Sequence, residues 1–245
     1  MSLKVILAIC LIVVTIIVLY IMLKKGEFIQ EGLIYSLDIK SDQPSTDLTG
    51  KNEKMEFIMP VTQASPNPFE GKGETGVIGH LKTLRTPPSD KMTIVMWINP
   101  KNLDEEAYLM QLGRSTANIE GEFAFRIKDS KLNFWDYKGG FGYSMGVSST
   151  SPVFKNKWIM VGFTKNGTKG NYWIDGVEKG ITTSAESKEY AGIDLAIGGD
   201  WRDRINTKNG RYFNGEIGQV AIYNRALTRE EMMQNYEKTK SNYSS

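Results

Sequence analysis

Two hydrophobic patterns divide the chain. From Val5 to Leu23, nineteen consecutive residues carry no charge, and fourteen of them are Val, Ile or Leu. Beyond residue 32 the apolar positions instead recur every second residue, punctuated by turn-forming residues, which is the period of a β-strand.

As a helix, the first segment spans about 28 Å, close to the ~30 Å hydrocarbon core of a bilayer. Its apolar side chains favour insertion by roughly 4–8 kcal/mol. A cleaved signal peptide is the competing reading. Its apolar core is about 7–15 residues and ends at small residues. Here the run is longer and ends in Met22-Leu23-Lys24-Lys25-Gly26-Glu27, so an uncleaved anchor is expected. A run apolar on every face also argues against a core helix. Lys4 stands on one side and Lys24 and Lys25 on the other, so the charge bias that orients membrane helices is nearly balanced.

The body reads as strands. Glu122–Lys128, an Asp129-Ser130 turn and Lys131–Phe134 predict one hairpin. Trp158–Thr164, Asn166-Gly167 and Asn171–Ile174 predict another, with both Asn166 and Gly167 at positive φ in a type I′ turn. Asp175-Gly176 supplies the next turn. Met92–Ile98 is apolar on both faces and reads as a central strand covered on both sides. Leu195–Gly198 and Glu216–Tyr223 are late strands. Thr228-Arg229-Glu230-Glu231 is a capping box, and Leu227 with Met232 forms a hydrophobic staple. One short helix therefore closes the domain, with a frayed polar tail from Lys238. The expected organisation is an anchor over residues 1–25, a linker over 26–31, an all-β, two-sheet antiparallel jelly-roll sandwich over 32–237, and a tail over 238–245.

Composition narrows the function classes. The net charge is +2 and the 30 basic residues are scattered, so nucleic acid is not an expected partner. The only cysteine, Cys10, lies in the anchor, which leaves the body no disulfide, catalytic thiol or zinc thiolate. A cysteine-free body suits a reducing compartment, and the soluble part is expected to face the cytoplasm.

The order of these elements resembles the concanavalin A-like lectin/glucanase superfamily, especially its laminin G-like branch. The resemblance rests on Gly32–Asp38 as first strand, the turn Asp47-Leu48-Thr49-Gly50-Lys51-Asn52, the Trp-bearing strand Met92–Pro100, and Tyr172–Val177. It is most specific at Phe213–Ile217 and Ile222-Tyr223-Asn224-Arg225-Ala226-Leu227-Thr228, followed by Glu231. Gly218 and Gln219 stand where the family often carries acidic residues.

The glucanase branch implies paired carboxylates, which the geometry of glycoside hydrolysis requires. Glu216 keeps only one acid of that motif, and the single histidine, His80, has no obvious catalytic partner in sequence. No enzyme activity is expected. Calcium, which the family often binds, is an alternative to no cofactor at all, with Asp38, Asp47 and Asn52 as oxygen donors. Three scattered donors fall short of the six to eight that calcium takes, and Asp and Asn are also ordinary turn residues. Aromatic and arginine side chains anchor interfaces, which singles out Trp201, Arg202, Asp203 and Arg204, together with Trp135 and Tyr137, as partner or ligand residues.

Anchored laminin G-like proteins of this build resemble minor structural proteins of large DNA viruses. That resemblance implies a body locked into a capsid, with Val5–Leu23 holding the underlying membrane. The alternative is a lectin-like receptor that binds glycans at the cell surface. A glycoside hydrolase is the third reading.

Overall fold

The structure is a computed structural model that describes residue 13 and residues 27–58, 78–85, 90–113, 123–138, 141–144, 148–183, 194–199 and 211–244. Apart from Val13, the Val5–Leu23 segment lies outside the described residues. Among those described, no helix is long and apolar enough to cross a membrane.

Among the described residues, thirteen strands build two antiparallel sheets. They are β1 Leu33–Asp38, β2 Glu56–Ile58, β3 Ile78–Leu81, β4 Lys91–Pro100, β5 Ala107–Leu112, β6 Phe123–Lys128, β7 Lys131–Lys138, β8 Phe141–Ser144, β9 Ile159–Asn166, β10 Lys169–Ile174, β11 Val177–Thr183, β12 Leu195–Ile197 and β13 Gly215–Tyr223. The first sheet has the order β1-β13-β4-β9-β10-β11, and the second β2-β3-β12-β5-β6-β7-β8. A helix, α1 Arg229–Thr239, follows β13 and continues into a 3-10 turn at Lys240–Asn242.

Strand alternation sorts the side chains into two apolar layers. Met92, Ile94, Met96 and Ile98 of β4 join the core between the sheets, with Phe125 of β6 and Phe134 of β7 opposite. Phe134 stacks on Phe163 of β9 with ring centroids 4.1 Å apart, so one aromatic pair joins the two sheets. The intervening residues Val95 and Trp97 of β4 point the other way. With Met160, Trp173 and Tyr223 they form a second apolar layer, which receives Leu227 and Met232 from the α1 region. That is why β4 is apolar on both faces: one face meets the other sheet and the other meets the helix.

The helix begins as its capping box requires. The Glu231 N–H donates to Thr228 Oγ1 at 3.2 Å, and Glu231 Oε2 accepts from the Thr228 N–H at 2.8 Å. Such a cap is worth about 1 kcal/mol.

Two sequence expectations need correction. In the β9–β10 hairpin, Asn166 pairs with Lys169, so the loop is Gly167-Thr168. Only Gly167 has positive φ, at 60°, whereas the expected turn needed Asn166 there too. Lengthening β9 to Asn166 moves the turn by one residue and puts glycine first. The tail is also not frayed. Tyr243 is buried and stacks on Trp97 with ring centroids 4.4 Å apart, because the turn after α1 folds it back onto the outer face of the first sheet. By contrast, Asp129-Ser130 and Asp175-Gly176 are both positive-φ pairs, as their hairpins demand.

Candidate functional site

The outer faces of the two sheets differ in chemistry. That of the first is apolar and capped by α1. That of the second is polar and aromatic, and it collects side chains from neighbouring strands.

Register explains the collection. Tyr108 of β5 pairs with Arg126 of β6, and Arg126 pairs with Asn133 of β7. The flanking residues Phe125, Ile127, Leu132 and Phe134 belong to the inner core, so these three face outward. One row further on, Gln111 pairs with Ala124 and Ala124 with Trp135. His80 and Ala196 continue that row through β3 and β12.

Arg126 organises the group. Its Nε donates to Asn133 Oδ1 at 2.8 Å, and its guanidinium pairs with the Glu106 carboxylate. The guanidinium carbon lies 4.9 Å from the Trp135 ring centroid and 6.0 Å from that of Tyr108. On the other side of Tyr108, Arg211 donates to the phenol oxygen at 2.9 Å and lies over the ring at 5.4 Å. Its Nε comes within 4.0 Å of Glu106 Oε2. Two arginines therefore share one carboxylate and one tyrosine. Tyr108 and Arg126 are buried, while the Arg211 side chain is 41% exposed and marks the open side of the group. His80 Nε2 and Asp194 Oδ1, 3.5 Å apart, add a second polar pair near β12.

Of the sequence-expected binding residues, Trp135 belongs to this group. Tyr137 lies two residues along β7, and its side chain is outside the described residues, as are Trp201, Arg202, Asp203 and Arg204. Sequence reasoning missed Glu106, Tyr108, Arg126, Asn133 and Arg211. A signal was present for two of them: Arg126 and Asn133 are the polar positions of otherwise apolar alternating strands. Tyr108 sits in the unbroken apolar stretch Ala107–Met110 and gave none.

The expected calcium donors serve the backbone. The Asp47 carboxylate accepts from the Ser36, Thr49, Lys51 and Asn52 N–H groups, from Thr49 Oγ1 and from Asn52 Nδ2. Burial pulls its pKa up, but hydrogen bonds from the Thr49 and Asn52 side chains and from backbone N–H groups outweigh this and leave it below the usual carboxylate range. Asn52 Oδ1 accepts from the Arg85 N–H, and Asp38 Oδ1 from the Lys40 N–H. A cation at Asp47 or Asn52 would have to displace these donors. Among the described residues no three His, Cys, Asp or Glu side chains group as metal ligands. Glu216 lies on β13 in the first sheet, where its carboxylate binds Asn99 Nδ2 at 2.8 Å and Lys101 Nζ at 3.2 Å.

Residues 73–233 match the family described as the Concanavalin A-like lectin/glucanases superfamily, in its laminin G form. The chain belongs to this superfamily.

Human usherin is 24% identical over 169 residues, covering 63% of this chain and 3% of usherin. Among solved structures, domain 4 of AbnA, a GH43 extracellular arabinanase from Geobacillus stearothermophilus in complex with arabinotriose, superposes with a TM-score of 0.62 at 17% identity, covering 83% of this chain and 98% of that one. The botulinum neurotoxin serotype G binding domain gives 0.55 at 15% identity, over 83% of this chain and 50% of that one. The CBM40 of the Ruminococcus gnavus IT-sialidase bound to α2,3-sialyllactose gives 0.50 at 16%, over 60% of this chain and 82% of that one. At these identities the likeness establishes the sandwich fold.

Proposed function

We propose that the chain is a non-catalytic, membrane-anchored binding module whose ligand is a glycan. The supporting observation is the Glu106–Arg126–Trp135 and Tyr108–Arg211 group on the outer face of the second sheet. Saccharides present hydroxyls alternating with apolar C–H faces. A surface that offers the Arg211 guanidinium, the Glu106 carboxylate and the Trp135 indole, backed by the buried Tyr108 and Arg126, matches that chemistry. Two of the similar structures, the arabinanase domain and the sialidase module, were determined with bound saccharides, which is consistent with this reading. The sequence-expected residues Trp201, Arg202, Asp203, Arg204 and Tyr137 supply further contacts in this proposal. Val5–Leu23 holds the module to a bilayer.

The test is binding of the full-length chain, in detergent micelles, to a glycan array with and without calcium. Trp135→Ala and Trp201→Ala are each expected to weaken a positive signal by about tenfold or more, as loss of an aromatic anchor does. Silence across the array in both conditions rejects the glycan reading.

The same anchor also supports a second reading, in which the module attaches a membrane to a protein assembly such as a viral capsid. The nineteen-residue apolar run is the observation that favours it. It requires an interface above about 1,000 Å² against neighbouring proteins, and the array would then be silent.

A further inference from the structure

Residues 28–31 are pinned to one face of the sandwich. Phe28 is buried in the outer apolar layer of the first sheet, with Leu33, Trp97, Tyr223 and Met232. Ile29 packs against the same layer, and its N–H donates to Asn235 Oδ1 of α1 at 2.8 Å. Asn235 is itself fully buried, and its Nδ2 donates to the Tyr223 phenol oxygen at 3.2 Å. The Arg225 guanidinium donates to the Glu31 carbonyl oxygen at 3.2 Å. The chain therefore enters the domain beside α1.

That entry point leaves little slack to the apolar run. Phe28 stands five positions after Leu23. Five positions of fully extended chain reach at most about 18 Å. A headgroup layer takes up roughly 6 Å of that. α1 rides on the outer face of the sheet beside Phe28, and a helix with its side chains is about 10 Å across, which fills the rest. The opposite orientation, with the second sheet toward the bilayer, does not fit. The linker would then have to pass the gap between the sheets, about 10 Å, as well as both layers of outward side chains and the headgroups, well beyond its reach.

The surface presented in this way suits headgroups and not hydrocarbon. Glu230, Gln234, Glu237 and Ser241 are exposed at helical spacing along the outer side of α1 and its 3-10 turn, while Met232 is buried against the sheet. Neighbouring charges are largely paired: Arg225 with Glu231 at 2.7 Å, Arg229 with Glu178 at 3.6 Å, and Lys240 with Glu237 at 2.6 Å. A polar stripe of nearly balanced charge does not require anionic lipid. A short tether makes each headgroup contact intramolecular, so none of them needs to be strong.

We infer that the outer side of α1, from Glu230 to Ser241, rests on the headgroup layer of the bilayer entered by Val5–Leu23, on zwitterionic as well as anionic lipid. The inference rests on the anchor proposed above and adds an orientation to it. The first sheet lies toward the lipid. The Arg126–Trp135 face of the second sheet points away from it, open to a ligand arriving from solution.

The experiment uses the full-length chain with Cys10→Ser, reconstituted in phosphatidylcholine liposomes. A fluorophore is placed at Gln234→Cys on α1 or at Lys82→Cys next to β3 of the second sheet, where the native side chain is 63% exposed. Circular dichroism establishes folding of each variant. Phosphatidylcholine spin-labelled on its headgroup serves as a short-range quencher. The fluorophore at 234 is expected to lose most of its emission and the one at 82 to lose little. Inserting about twenty Gly and Ser residues after Gly26, with an r.m.s. reach of roughly 25 Å, should restore most of the emission at 234. Alkaline carbonate extraction tests the anchor separately. If the chain stays with the liposomes but position 82 is quenched as strongly as 234, or neither is quenched, the orientation is overturned and the anchor stands. Quenching at 234 that the insertion does not relieve overturns the reach argument. If carbonate strips the chain from the liposomes, the anchor reading fails and the orientation falls with it.

Discussion

The ring of Tyr243 occupies the space that a side chain at Gly218 would need, and its phenol oxygen accepts a hydrogen bond from the neighbouring Gln219 N–H. In this chain, glycine there and tyrosine 25 residues later form one device that clamps the C-terminus onto the first sheet. Burial pushes the Tyr243 phenol far above its ordinary pKa, so it stays neutral in the clamp.

Gly218→Asp should therefore release the tail. Overpacking of this kind costs about 1–3 kcal/mol, and each kcal/mol lowers Tm by roughly 2–4 °C in a domain of this size. Limited proteolysis should clip the variant after α1 sooner than the parent. An unchanged Tm with an unchanged digestion pattern would show that Tyr243 does not depend on the space at residue 218.

A second test concerns the contact between the sheets. The Phe134 N–H of β7 donates to the Tyr172 phenol oxygen of β10 at 2.9 Å, inside the core. Burial pushes the Tyr172 phenol up to about 12. Tyr172→Phe preserves shape but leaves the Phe134 N–H without its acceptor. The expected loss is about 1–3 kcal/mol in urea denaturation, with the slope m unchanged. A loss well below that range would mean that water or a shifted backbone replaces the bond.

Much of this architecture was legible in the chain because it is written locally. Period-two alternation exposed β6, β7, β9, β10 and β13, and the Thr228–Glu231 capping box exposed α1. β5 was hidden because Ala107-Tyr108-Leu109-Met110 is apolar throughout, with no alternation to read. Tyr243 was hidden for a different reason. Its burial depends on a turn at Lys240–Asn242 and on a partner, Trp97, that is 146 residues away in sequence. The candidate site was the least legible part. Arg126 looks like an ordinary surface charge until strand register sets it beside Trp135 and Glu106.

Acid should weaken the fold through two carboxylates. The side-chain hydrogen bond from Arg225 holds the Glu231 pKa down against burial, and the Thr228 N–H adds to it; Asp47 is likewise below its usual value. For both groups the folded pKa lies below the unfolded one. The stability they contribute is therefore complete above the unfolded values, near about 4, and is lost as pH falls through the folded values. Denaturant unfolding between about pH 6 and pH 2 should show this loss, and Asp47→Asn should flatten its slope. A slope in Asp47→Asn equal to the parent's would remove Asp47 from the account.

Asp175 carries the opposite sign. It sits at φ 51° ahead of Gly176 at φ 74°, and its Oδ1 accepts from the Met160 N–H at 2.9 Å. Burial pushes its carboxyl up, and the Met160 hydrogen bond and the charges of Lys157 and Lys179 only partly offset that. With a folded pKa above the unfolded one, its contribution is most favourable below the unfolded value and declines as pH rises through the folded value. Asp175→Asn keeps the acceptor, removes the buried charge, and suits the type I′ turn, where Asn-Gly is favoured. The variant should gain about 0.5–1 kcal/mol at pH 7, a typical increment for relieving one unfavourable surface or turn feature. The gain should shrink toward zero near pH 3, where the parent's carboxyl is protonated in both states. A gain that persists undiminished at pH 3 would assign the effect to turn conformation and not to the charge.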